Sequence, residues 1–207
     1  MKKTLFPLCL VACLAVLCAQ PAEAAIYSPV ADGYAYSTDG GSTWSAPQTT
    51  AQALLVSLFD TTEYRSALEF DIDPSAHSGE TIVSANLYLY ATSFDANVGI
   101  YGYVGNGTIE IADLNTNFSQ TTMFDPGSSW NIIDVTTFIS GFSNKYVGFQ
   151  LRELINPDTN VYYSSESIIN QPYLDIEYTP VPEPGTMLLL GSGFAGLVGY
   201  GRRRLKK

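Results

Sequence analysis

The feature that most restricts the fold of this chain is a period-two alternation of apolar and polar residues in short runs. Apolar residues occupy every second position at Leu54, Val56 and Leu58, and the pattern returns over Leu68–Ile72. Three later runs repeat it, at residues 87–90, 147–152 and 173–178. Because successive side chains of a β-strand point to opposite sides of a sheet, this alternation is typical of strands that are buried on one face.

Turn-forming residues interrupt the alternating runs at short intervals. Segments rich in Gly, Asp, Asn and Ser lie at residues 32–34, 38–41, 77–80, 105–108 and 125–128. Between them, no window carries a convincing helical repeat. Short strands at this spacing, without helices, predict an all-β antiparallel sandwich over residues 25–180.

Residues 1–24 predict a secretory signal peptide. Two lysines precede an apolar run at residues 5–19, and the small residues Ala22 and Ala24 favour cleavage by signal peptidase after Ala24. A lipidation box at residues 10–13 is the alternative, but the apolar run continues beyond it. All three cysteines lie in this segment, so the exported domain has no disulfide and depends on its hydrophobic core.

The other end of the chain predicts a membrane segment. Thr186–Tyr200 carries no charge, and a basic cluster follows it at Arg202, Arg203, Arg204, Lys206 and Lys207. A bilayer span needs about 20 apolar residues, with roughly 17 as a lower limit, so we expect a short and marginal transmembrane helix. The basic cluster would lie in the cytoplasm and leave everything before Pro182 outside. A buried core helix is the alternative, which the frequent glycines disfavour.

This C-terminal segment resembles the PEP-CTERM sorting signal of Gram-negative bacteria. The resemblance rests on Val181-Pro182-Glu183-Pro184, the short apolar span and the Arg202, Arg203, Arg204 cluster, in that order over residues 181–207. It implies a protein that is exported through the inner membrane and recognised by an exosortase, which cuts near the Pro-Glu-Pro. The helix would hold the protein in the membrane at least transiently, before delivery to the cell surface or extracellular matrix. Such proteins are typical of bacteria that make an exopolysaccharide matrix, as in biofilms.

The region between the two signals is strongly acidic. Of the 20 acidic residues only Glu23 and Glu183 lie outside residues 25–180, which leaves 18 acidic against three basic residues and a net charge of −15. A surface this negative repels phosphate backbones and anionic lipids, which excludes nucleic acid as a partner. Divalent cations and neutral or cation-bridged polysaccharides remain as possible partners. The alternative is that the acidity only keeps an exported domain soluble.

Several predicted strands resemble the DNRLRE domain. The resemblance rests on Arg65–Ile72, Gly79–Tyr90, Asp134–Thr136, Gly148–Leu151, Ser165-Glu166 and Pro172–Ile176, in the order of that family. A tryptophan-containing segment usual in the family is absent, and Gly107–Asn117 takes its place. The resemblance implies a jelly-roll β-sandwich on a cell-surface protein, related in form to carbohydrate-binding modules, some of whose relatives recognise acidic polysaccharides.

The sequence offers little for catalysis. The only histidine is His77, which lies in a turn where a solvated loop residue is expected, and no Gly-x-Ser-x-Gly elbow occurs. Glycoside hydrolysis needs a pair of carboxylates, but the acidic residues are so numerous that some must lie near each other in any fold. A carboxylate pair therefore does not indicate a hydrolase here. We therefore expect a non-enzymatic domain, with a glycan hydrolase as the less favoured alternative.

Tyrosines supply the candidate binding site. Residues 84–91 and 98–104 predict two strands of one hairpin, whose core-facing residues would be Leu87, Leu89, Ile100 and Val104. The outer face would then carry four tyrosines, Tyr88, Tyr90, Tyr101 and Tyr103. Flat rings with hydroxyl tips suit stacking on sugar rings. The alternatives are tyrosine pairs that only stabilise the sheet, or a face that is covered by a loop.

Two further features leave their roles open. Trp44 and Trp130 lie beside turns, where each is expected to plug the core or cap the sandwich in preference to contacting a ligand. A structural Ca²⁺ is an option, because hard oxygen ligands lie in or beside turns at Asp32, Asp39, Asp71, Asp73 and Asp125. No Asp-x-Asp-x-Asp-Gly loop identifies the ligands.

Together these observations predict an exported surface or matrix protein that binds, or is embedded in, extracellular polysaccharide. The alternative is a structural spacer or assembly domain without a ligand.

Overall fold

The structure is a computed structural model that describes residues 23–95, 97–155, 157–179 and 191–193. Contacts between Cα atoms group Ala24–Tyr178 into one compact unit. The predicted signal peptide lies outside the described residues, except for its last two residues. The sorting segment also lies outside them, except for residues 191–193, which are helical. None of the described helices has the length and apolar character that crossing a membrane requires.

The described residues form eleven β-strands. They are β1 (Glu23–Tyr27), β2 (Pro29–Ser37), β3 (Ala53–Phe59), β4 (Thr62–Asp71), β5 (Thr81–Ser93), β6 (Val98–Val104), β7 (Gln120–Phe124), β8 (Ser129–Asp134), β9 (Tyr146–Glu153), β10 (Asp158–Tyr163) and β11 (Tyr173–Thr179). Between residues 24 and 178 the described helical elements are two single-turn helices, α1 (Ile111–Asn115) and α2 (Thr136–Ser140), and a 3₁₀ turn at Pro74–His77.

The strands form one sheet that branches and curls around a core. Its order is β1-β11-β5-β10-β3-β4-β9-β6-β7, with β2 added at β4 and β8 added at β5. Every strand pair with a described register is antiparallel. The predicted antiparallel β domain is therefore confirmed.

The alternating runs supply the core, as their pattern predicts. In β5, Leu87 and Leu89 are fully buried, and in β9 the same holds for Phe149 and Leu151. Phe149 meets Phe70 of β4 edge to face, with 6.2 Å between the ring centroids. Burying each large apolar side chain contributes roughly 1.5–3 kcal/mol, so this shared core is the main source of stability in a domain without disulfides.

A second, smaller cluster lies on the other face of β2, β4, β6 and β9. It contains Ala35, Ala67, Tyr103, Ile109 and Leu114. The segment of residues 105–118, which includes α1 and is called the cap below, covers this face. Both faces of this part of the sheet are therefore buried.

The predicted hairpin of residues 84–91 and 98–104 is wrong, although both strands exist. β5 pairs with β8, β10 and β11, whereas β6 pairs with β7 and β9. The loop after β5 therefore leads to another part of the curled sheet and does not turn back. Val104, expected in the core, is 60% exposed at the end of β6. Alternation determines which residues share a face, but the pairing depends on distant strands.

Candidate functional site

An aromatic surface covers the outer side of the sheet around β5. Tyr88 and Tyr90 alternate with core residues and therefore point outward. The antiparallel register with β8 places Trp130 directly opposite Tyr90. Tyr163 at the end of β10 and Tyr173 at the start of β11 join from the other side of β5. These five residues are called the aromatic face below.

The rings of the aromatic face hold one another in a fixed arrangement. Tyr88 stacks on Tyr173 with 4.3 Å between centroids and 11° between planes. Tyr90 stacks on Tyr163 at 5.5 Å and 28°. Trp130 meets Tyr88, Tyr90 and Tyr173 edge to face, at 6.4, 5.5 and 5.4 Å. Such contacts contribute about 0.5–1.5 kcal/mol each beyond burial, so the face is preorganised.

Trp130 is the most accessible ring of this surface. It is 38% exposed, whereas the four tyrosines are half-buried because they cover one another. Ile132, opposite Tyr88 in the same register, is 61% exposed and extends the apolar surface along β8. Of the two expectations for Trp130, a core plug or a cap on the sandwich, the core plug is therefore wrong, because Trp130 lies on the outer face of β8.

The charge around the aromatic face is negative. Asp175 follows Tyr173 on the same face of β11, and Asp134 ends β8. Partial burial raises the pKa of Tyr173, as do nearby Tyr88 and Asp175, so its hydroxyl stays protonated at neutral pH. The face thus offers neutral rings and hydroxyl groups beside carboxylates.

The basic residues of the domain are engaged elsewhere. Arg65 binds Glu63 through Nε at 2.6 Å, and Arg152 approaches the same carboxylate at 3.6 Å. Lys145 pairs with Asp71 at 3.1 Å. These are all the basic residues between positions 25 and 180. An anionic ligand would therefore meet no compensating charge at the aromatic face.

Tyr101 and Tyr103 do not contribute to the aromatic face. They point away from the main core as predicted, but only 9% and 5% of their surface is exposed. Tyr103 stacks on Phe118 of the cap at 4.8 Å, and the Arg152 guanidinium lies 5.2 Å above the ring of Tyr101. The single platform of four tyrosines is therefore wrong. The alternative of a face covered by a loop applies to Tyr103, whereas Arg152 of β9 lies over Tyr101. Tyr88 and Tyr90 remain at the surface.

Polar side chains of β4 and β9 hold the cap in place. The Gln150 amide donates to the carbonyls of Asp113, Leu114 and Thr116 at 2.7, 3.0 and 3.2 Å. Arg65 Nη1 donates to the Leu114 carbonyl at 3.1 Å. These residues appear in the sequence as the polar side of two strands, and that pattern alone does not distinguish a solvated face from one that anchors a loop.

Glu69 anchors the start of the cap. One carboxylate oxygen of this fully buried residue accepts from the backbone N–H groups of Asn106 and Gly107 at 3.0 and 2.6 Å. Burial raises the pKa of Glu69, and the two N–H donors partly offset that rise. Arg65 and Glu69 of β4 thus contact the cap and lie away from the aromatic face.

His77 is not the solvated loop residue that its turn suggested. Nδ1 lies 2.6 Å from Glu80 Oε2, and Nε2 lies 3.1 Å from the Tyr27 hydroxyl. The imidazole stacks on Tyr178 at 3.8 Å, beside a cleft of about 300 Å³. Both ring nitrogens therefore have partners within the domain, and burial raises the pKa of Tyr178.

Trp44 packs partly buried against the second cluster, under the Arg65 guanidinium at 4.7 Å. None of the aspartates considered for calcium belongs to a larger cluster of possible ligands in the described residues. Across the described residues, no group of three or more His, Cys, Asp and Glu side chains could hold a metal ion.

Comparison with known proteins identifies the C-terminal segment. Residues 180–204 match the PEP-CTERM protein-sorting motif, a range that includes Val181–Pro184 and Arg202–Arg204. The match confirms the predicted sorting signal and indicates an exported protein that an exosortase of a Gram-negative bacterium sorts to the cell surface. No curated protein matches the chain.

Proposed function

We propose that the domain binds neutral polysaccharide of the extracellular matrix through the aromatic face, with Trp130 as the principal stacking residue. The observation that carries this proposal is an exposed indole held edge to face by three tyrosine rings. Signal peptidase would release the chain after Ala24, and residues 25–180 would form a DNRLRE-like jelly-roll sandwich without enzymatic activity.

Sugar recognition is supported by the chemistry of the surface. One face of a pyranose ring is lined with C–H groups, which pack well on a flat aromatic ring, and its hydroxyl groups need polar partners at the rim. Trp130 supplies the exposed ring, and the hydroxyls of Tyr88 and Tyr90 supply polar groups beside it. Because the rings support one another, little conformational freedom is lost when a ligand binds.

A neutral ligand is favoured over an acidic one by the distribution of charge. Asp134 and Asp175 lie at the aromatic face, and the basic residues pair with acidic partners elsewhere. A uronic acid polymer would bring further negative charge to a surface that repels it.

The test is binding of the full-length chain, purified in a mild detergent, to a neutral β-glucan and to alginate in affinity electrophoresis. We expect retardation by the neutral polymer, and Trp130→Ala to weaken binding at least tenfold, equivalent to about 1.4 kcal/mol. Tyr36→Ala is the matched control, because Tyr36 is also 38% exposed and contacts a neighbouring tyrosine, but lies on β2. Circular dichroism would verify that each variant is folded.

Two results would contradict the proposal. A folded wild-type chain that binds neither polymer would favour the structural spacer, whose aromatic face only stabilises the sheet. Equal weakening by Trp130→Ala and Tyr36→Ala would mean that the aromatic face is not the binding surface. Shortening of the polymer during the assay would instead indicate a glycan hydrolase.

A further inference from the structure

A buried carboxylate on β2 lacks a compensating partner. Asp32 is only 2% exposed. Its Oδ2 accepts a hydrogen bond from the backbone N–H of Ser165 at 2.6 Å. Its Oδ1 is buried and receives no hydrogen bond from the described part of the protein. Leaving a charged oxygen buried without a partner is costly, so this atom points to a missing ligand.

A second carboxylate faces the first one. Glu166 follows Ser165 in the loop between β10 and β11, and its carboxyl group interacts directly with that of Asp32. Its backbone is held in place because its N–H donates to Ser164 Oγ, whose hydroxyl donates to the Ala51 carbonyl at 2.6 Å. These bonds fix the backbone from which the Glu166 side chain extends.

The described basic side chains do not neutralise this pair. Arg65 and Arg152 bind Glu63, and Lys145 binds Asp71. Two carboxylates in contact cannot both stay ionised at low cost unless a proton or a metal cation lies between them. Without a cation, burial and also the nearby Glu166 charge raise the pKa of Asp32 to about 7.

We infer that Asp32 and Glu166 bind a calcium ion. Both ligands are hard oxygen donors, the type that Ca²⁺ prefers. Asp32 would supply its unpartnered oxygen from the buried side, and the exposed Glu166 would close the site from the solvent side, where water completes the coordination. With only two carboxylates the site is weak, in the 10⁻⁴–10⁻³ M range typical of extracellular calcium modules. The ion would tie β2 to the loop that precedes β11.

The experiment is thermal unfolding of the full-length chain in mild detergent at pH 8, above the raised pKa of Asp32. Samples contain 10 mM CaCl₂, or EDTA with NaCl at the same ionic strength. Because the ion binds the folded state, we expect calcium to raise the Tm by about 3–10 °C. Asp32→Asn keeps the size of the side chain and an acceptor for Ser165, and we expect it to abolish the calcium shift. Asp125→Asn is the control: it removes an exposed acid at another site and should keep the calcium-dependent shift of the Tm.

The outcomes separate the alternatives. A wild-type Tm that is equal in calcium and EDTA would mean that the two acids share only a proton, and would overturn the inference. A calcium shift that persists in Asp32→Asn would place the ion elsewhere and would also overturn it. If Asp32→Asn does not fold, Glu166→Gln provides the same test from the exposed side of the pair.

Discussion

The packing of Tyr103 on Gly148 leads to a sharp prediction about how the cap is attached. The two residues are directly opposite each other in the antiparallel pair of β6 and β9. A Cβ atom at Gly148 would lie 2.2 Å from Tyr103 Cζ and within 2.5 Å of both Cε atoms. The phenol ring thus occupies the space that any other side chain would need.

The expected cost of Gly148→Ala can be worked out from these contacts. Carbon atoms pack at about 3.5–4.0 Å, so the ring would have to move by more than 1 Å. Phe118 stacks on the same ring, so this movement would disturb that contact as well. Overpacking costs roughly 1–3 kcal/mol and a stacked aromatic pair contributes about 0.5–1.5 kcal/mol. We expect Gly148→Ala to lower the free energy of unfolding by about 2–4 kcal/mol.

A double-mutant cycle tests the cause as well as the size of this effect. Urea denaturation of the full-length chain, followed by tryptophan fluorescence, would give the free energy of unfolding of each variant. Tyr103→Ala alone should cost roughly 3–5 kcal/mol through the cavity it leaves. In that background the space is empty, so adding Gly148→Ala should cost less than about 0.5 kcal/mol. Gly127→Ala is the control and should change stability by no more than about 0.5 kcal/mol, because its added Cβ meets no atom within 4 Å. Equal costs of Gly148→Ala with and without the Tyr103 ring would refute the reasoning.

Two further predictions concern anchoring and pH. Gln150→Leu removes the donor shared by three cap carbonyls, and we expect it to lower the free energy of unfolding by about 2–3 kcal/mol. Amide hydrogen exchange should become faster in the cap than in the core strands. Unchanged exchange in the cap would contradict this role. Hydrogen bonds from Thr43 lower the pKa of Asp39 to about 2. The stability that Asp39 contributes is therefore fully present above about pH 4 and lost as the pH falls toward 2. Urea titrations at several pH values would measure this loss, and Asp39→Asn should lose less stability than wild type between about pH 4 and 2. An equal loss in both proteins would refute it.

Local and linear information explains what could be predicted from the sequence. Alternation identified the strands around Leu87 and Phe149, because the side-chain direction in a strand reverses at every residue and needs no distant partner. The sorting motif at residues 180–204 is likewise a contiguous pattern that is read in the order of the chain. The antiparallel β class followed from the spacing of strands and turns.

Partner choice is what the sequence could not supply. Tyr88 and Tyr101 occur in equivalent alternating strands, yet Tyr88 joins the aromatic face and Tyr101 lies beneath Arg152. Gln150 looks like a solvated strand residue and is fully buried under the cap. In each case the local pattern determined that the side chain points away from the core. Whether water, a loop or a ligand meets it there depends on which distant segment packs on that face, and only the tertiary structure decides this.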